Sequence, residues 1–87
     1  MPIESEKAGQ IVFAINGRDK GKAFLVLYAD GDYVYLSDGR TRPLGKPKKK
    51  KWKHVRPTGD RVDAEWFAGD MQDNRIREVL RSWSNFK

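Results

Sequence analysis

Three short β-rich runs, GQIVFAI (9–15), AFLVLYA (23–29) and YVYLS (33–37), are joined by connections with room for little besides turns. This spacing constrains the fold more than any other feature of the chain. Asp30-Gly31 links the second run to the third, and an Asp-Gly pair tolerates the positive φ values that a tight hairpin needs. The runs are expected to pair antiparallel. In the third run Tyr33, Tyr35 and Ser37 share one face, and Val34 and Leu36 take the other. A second Asp-Gly pair, Asp38-Gly39, predicts a turn into RTRPL (40–44), a short fourth strand ended by Pro43. WKHV (52–55) is a candidate fifth strand that could close the edge. Short strands joined by tight turns predict a mainly β protein, a small bent barrel.

The rest of the chain divides by composition and period. Residues 1–8 are expected as a flexible N-terminus. Residues 9–56 form the barrel domain, and residues 57–72, rich in turn formers and without periodicity, form a loop that Trp66 and Phe67 fold back onto the core. From Asp73 the period becomes helical: Ile76, Val79, Leu80 and Trp83 fall at i, i+3, i+4 and i+7. A helix over 73–84 is predicted to pack on the barrel by that face. Asp73 is placed to cap it, and Arg75, Arg77 and Arg81 lie opposite, where they widen the basic surface.

Charge placement directs the functional reading. Residues 1–39 carry four basic and six acidic side chains, and residues 57–87 carry five and six. The segment between them, RTRPLGKPKKKKWKHVR (40–56), carries nine basic side chains and no acidic one. A local block of one sign points to a polyanionic partner. The turn 17–22 adds Arg18, Lys20 and Lys22 between two glycines. It is not the phosphate loop of nucleotide-binding enzymes. That motif places more residues between its glycines than the three here, puts Ser or Thr after the lysine where this chain has Ala23, and leads into a helix. As a basic turn, it offers a set of phosphate contacts, with Asp19 partly neutralising it. The lysine run 46–53 is expected to be a disordered, self-repelling tract when free, and such a tract can order on a phosphate backbone. Trp52, inside it, has two readings: a residue that stacks on a base, or one that closes the core.

Catalytic chemistry finds little support. His54 is the only histidine and cysteine is absent, so no metal site or disulfide is expected. Asp60, Asp63 and Glu65 read as a solvated cluster. Ser37, Ser82 and Ser84 have no base at a recognisable spacing. No apolar stretch has the length of a signal peptide or membrane span, which predicts a cytoplasmic protein with no membrane partner.

The stretch GQIVFAINGRDKGKAFLVLYADGDYVYLSDGRTRPLGKPKKKKWKH (9–54) resembles the KOW-motif RNA-binding proteins, and among them the ribosomal-protein-L14e-like proteins of bacteria. The likeness lies in a strand, a Gly-rich basic loop and a second strand at 11–15, 17–22 and 24–27. It continues through Asp30-Gly31, through Asp38-Gly39 followed by basic residues, and through the lysine-rich stretch after Pro47. The final DNRIREVLRSW (73–83) is also similar. The resemblance implies an SH3-like barrel and binding of ribosomal or structured RNA on or near the ribosome, with ribosomal proteins as further partners. The missing acid/base constellation predicts no enzymatic activity, and no cofactor and a monomeric state are expected. The expected RNA contacts are Arg18, Lys20, Lys22, Arg40, Arg42, Lys46, Lys48, Lys49, Lys50, Lys51, Trp52 and Lys53. The alternative from another class is an SH3-like module that grips a peptide or an acidic protein surface, which requires Tyr28, Tyr33 and Tyr35 to be exposed together.

Overall fold

The computed structural model of the chain describes residues 7–86, so most of the expected flexible N-terminus, residues 1–6, lies outside the described residues. Five strands, β1 (Gln10–Ala14), β2 (Ala23–Asp30), β3 (Tyr33–Ser37), β4 (Lys48–Lys51) and β5 (Val55–Arg61), form one antiparallel sheet in the order β4-β3-β2-β1-β5. Two helices follow, α1 (Ala64–Ala68) and α2 (Asp73–Phe86). The chain is mainly β with a C-terminal helix. The ladder is not closed: β4 and β5 remain its two edges.

The central strands are apolar on consecutive positions because they are buried on both faces. On the inner face Val12, Ala14, Phe24, Val26, Val34, Leu36 and Val55 form one cluster. On the other, Ile11 and Leu25 meet Ile76 and Leu80 of α2, with Trp66, Phe67, Val79 and Trp83 packed around them. The helical face read from the sequence is therefore core. A register shift between Val26 and Tyr28 changes the phase of β2. It turns Ala29 inward and leaves Tyr28 outside, 51% exposed.

Residues 40–44 do not form the expected fourth strand. The Asp38 carboxylate collects the backbone N–H groups of Arg40 (2.9 Å) and Arg42 (2.8 Å) and the Thr41 hydroxyl (3.0 Å), while buried Ser37 donates to the Arg42 carbonyl at 2.7 Å. These local bonds take the backbone groups that a strand would offer a neighbour. Two long-range bonds fix the loop to α2: Leu44 N donates to Asp73 Oδ1 (2.8 Å), and Arg77 Nη1 donates to the Gly39 carbonyl (2.6 Å). Asp73 thus accepts from this loop. The backbone carbonyl of Gln72 receives the N–H groups of Arg75 and Ile76 in the first turn of α2. Gly39 sits at φ +73°, and a Cβ there would overlap the Asp73 carbonyl oxygen and lie 3.1 Å from the Arg77 side chain.

The fourth strand is instead the lysine run, paired with β3 from Leu36↔Lys48 to Tyr33↔Lys51. Trp52–His54 is a 3₁₀ turn, where a strand was expected, and Trp52 N donates to the Asp32 carbonyl at 2.7 Å. This corner carries the chain from one edge of the sheet to the other. Residues 57–72, expected as a loop, hold most of β5 and all of α1. An edge strand tolerates Pro57, and Gly59 at φ +90° lies within the register shift against β1.

Candidate nucleic-acid interface

The β1–β2 connection is a compact turn. Gly21 N donates to Ala14 O (2.8 Å), Lys20 N to Gly17 O (3.2 Å) and Lys22 N to Asp19 O (2.9 Å), with Gly17 and Gly21 both at positive φ. Its charged residues separate. Arg18, Lys20 and Lys22 are exposed, whereas Asp19 points inward and is 6% exposed. There it pairs with Arg42 at 3.0 Å, and Lys22 stands 3.8 Å away. The acidic residue expected to neutralise the turn is therefore committed chiefly to Arg42. The same pair takes Arg42 out of the freely available cations and makes it a tie between the turn and the 38–46 loop.

Strand alternation divides the lysine run. Lys49 and Lys51 are exposed on the face of Tyr35 and Tyr33, and the Lys49 ammonium lies 4.5 Å from the Tyr33 ring centroid. Lys48 and Lys50 lie on the other face with half-buried stems. Lys50 Nζ donates to the Asn16 carbonyl at 3.2 Å, a contact across 34 positions of sequence. The run and the basic turn, distant in the chain, are thus neighbours in the fold. Arg40 and Lys46 are exposed on the 38–46 loop, and Lys53 is exposed on the 3₁₀ turn.

Trp52 contributes to the core, in line with the second of its two readings. Its half-buried ring packs on the inner cluster, with the Lys7 ammonium 5.2 Å from the ring centroid. Trp52 also lines a cleft of about 300 Å³ with Asp32, Lys51 and Lys53.

Tyr28 and Tyr35 stack across the β2–β3 pair with centroids 4.4 Å apart and planes at 19°. Tyr33 shares their face, and of the three Tyr28 is exposed, Tyr33 and Tyr35 being half-buried. The signal for this surface was legible: tyrosines alternate in β3, and the hairpin carries Tyr28 opposite them.

Burial pushes the Asp38 carboxyl upward, but the N–H groups of Arg42 and Arg40 and the Thr41 hydroxyl outweigh it and hold the carboxyl below its ordinary value. Asp60 accepts a 2.6 Å hydrogen bond from the Trp83 indole and so ties β5 to α2. Among the described residues no group of three or more His, Asp or Glu side chains converges as a metal site would. No helix among them is long and apolar enough to cross a membrane. Neither protein-family models nor curated proteins give a match to the chain.

Proposed function

We propose that this chain is a non-enzymatic RNA-binding protein of the KOW type, similar to the ribosomal-protein-L14e-like proteins, that works with ribosomal or structured RNA. The observation that carries the reading is the meeting of the two basic segments through Lys50 and Asn16. A phosphate backbone laid across Arg18, Lys20 and Lys22 would reach the β4 lysines without leaving the protein surface. Phosphate contacts dominate such interfaces and need cations on a firm support more than they need base-edge geometry. The working set is Arg18, Lys20, Lys22, Arg40, Lys46, Lys48–Lys51 and Lys53. Arg42 acts behind them, through Asp19.

The finer fold belongs to the same proposal. A five-stranded antiparallel sheet with a 3₁₀ corner between β4 and β5, which returns β5 to β1, supports an SH3-like barrel. Lysines on an edge strand also deter edge-to-edge pairing, so the run has a structural use besides recognition.

The experiment is a titration of structured RNA, followed by fluorescence anisotropy, at several salt concentrations. If about five phosphates are neutralised, log K falls against log salt with a slope of roughly −3.5 to −4.5. The tyrosine face supports a second reading, a module for a peptide or an acidic protein surface, since Tyr28, Tyr33 and Tyr35 stand side by side. Absence of RNA binding at low salt, together with saturable shifts of the tyrosine rings on adding a proline-rich or acidic peptide, would favour it.

A further inference from the structure

An open cleft of about 360 Å³ lies where the end of the basic turn, the 38–46 loop and α2 meet, and Lys22, Arg40, Arg77 and Arg81 contribute to its lining. Four cations from three separate chain segments face one volume. Asp38, the acidic residue in the lining, spends its carboxylate on Arg40 N, Arg42 N and the Thr41 hydroxyl. The nearby Asp19 is committed to Arg42 and sits 3.8 Å from Lys22. Arg77 donates Nη1 to the Gly39 carbonyl, a neutral acceptor that does not cancel its charge, and no carboxylate among the described residues forms a salt bridge with it.

We infer that this cleft is a phosphate-binding site. On the RNA-binding reading above, on which this inference rests, its occupant is a backbone phosphate, and α2 joins the interface. The chemistry fits a phosphate. Guanidinium forks donate paired N–H groups to its oxygens, and clustered arginines and a lysine concentrate positive potential that draws an anion into the cleft. The site is also held in shape before any ligand arrives. The bonds from Leu44 to Asp73 and from Arg77 to Gly39 clamp the loop on the helix, so little ordering remains to oppose binding.

The test uses the full chain, Arg40→Ala/Arg81→Ala, the charge-preserving Arg40→Lys/Arg81→Lys, and Arg56→Ala as a control on exposed β5 outside the cleft. Inorganic phosphate is titrated against the amide NMR spectrum, and structured RNA is titrated at several salt concentrations. With phosphate, saturable shifts are expected at Lys22, Arg40, Arg77 and Arg81. They should vanish in the alanine pair, weaken in the lysine pair and persist in Arg56→Ala. With RNA, loss of one phosphate contact should flatten the log K against log salt slope by about 0.7–0.9 in the alanine pair. If the parent binds RNA and the alanine pair keeps both its slope and its affinity, the cleft is overturned while the RNA reading stands. If the parent ignores RNA but phosphate shifts the cleft amides, the site stands with a free phosphate compound as its source, and the RNA reading fails. If neither RNA nor phosphate perturbs these four residues, the inference is overturned.

Discussion

Gly39→Ala tests the joint on which the loop, the helix and the cleft all depend. Two costs are expected. The first is conformational: at φ +73° an alanine pays for the left-handed region, about 1–2 kcal/mol. The second is steric and specific to this place, because the new Cβ would meet the backbone carbonyl of Asp73 and the Arg77 backbone nitrogen, at 3.2 Å, in the first turns of α2. Backbone cannot swing aside as a side-chain tip can, so loop and helix must part. Parting them stretches the Arg77 to Gly39 bond, a charged hydrogen bond worth about 1.5–3 kcal/mol. It also lifts Ile76, fully buried beside Leu25, from its seat. A total loss of about 3–5 kcal/mol follows from these terms. Gly31→Ala supplies the control: its φ is +61°, and nothing stands within 4 Å of the added Cβ, so only the conformational cost applies. Urea titrations of both variants and the parent should place Gly39→Ala well below Gly31→Ala, by roughly 2–3 kcal/mol. Equal losses at the two glycines would mean that the loop is not seated on α2, and the argument for a pre-shaped cleft would fall with it.

Leu80→Ala should cost roughly 2–4 kcal/mol in denaturant titration, because Leu80 packs with Ile76, Ile11 and Leu25; a negligible loss would make that helical face a surface stripe. Lys49→Gln/Lys51→Gln removes two exposed charges without touching the Lys50 contact, so the salt slope of RNA binding should flatten by about 1.4–1.8 if each lysine neutralises a phosphate, with an unchanged thermal melt. Arg18→Ala/Lys20→Ala should weaken binding to unrelated RNA sequences alike, since phosphates carry no sequence; loss confined to one sequence would contradict backbone contact. The Asp38 carboxyl titrates below its unfolded value, so its contribution to stability is present above about pH 4 and is lost as pH falls through the folded value. Acid unfolding of Asp38→Asn should accordingly be less steep than the parent's in that window, and an identical profile would show that the loop carboxylate adds no pH-linked stability.

Hairpins and the terminal helix were legible in the sequence because local chemistry decides them. Asp30-Gly31 permits a tight hairpin, β-rich runs flank it, and Ile76, Val79, Leu80 and Trp83 repeat at the helical period whatever the rest of the chain does. The basic segments were legible as composition. Their arrangement was not. Four consecutive lysines carry no pattern of their own, and they become β4 only because β3 offers its free edge as a hydrogen-bonding partner. PTGDR (57–61), with its proline and glycine, reads as a loop until β1 supplies the other half of the ladder. Arg42 looked like one more exposed cation, and only the folded chain brings Asp19 within 3.0 Å of it. Arg77 and Arg81 looked like the outer face of a helix, and only the docking of the 38–46 loop turns them into the wall of a cleft. The division has one physical reason. Turn chemistry and helical periodicity are short-range and leave their mark in adjacent residues, whereas edge pairing, ion-pair choice and convergence of charge depend on which distant segments the two packed faces of the sheet bring together.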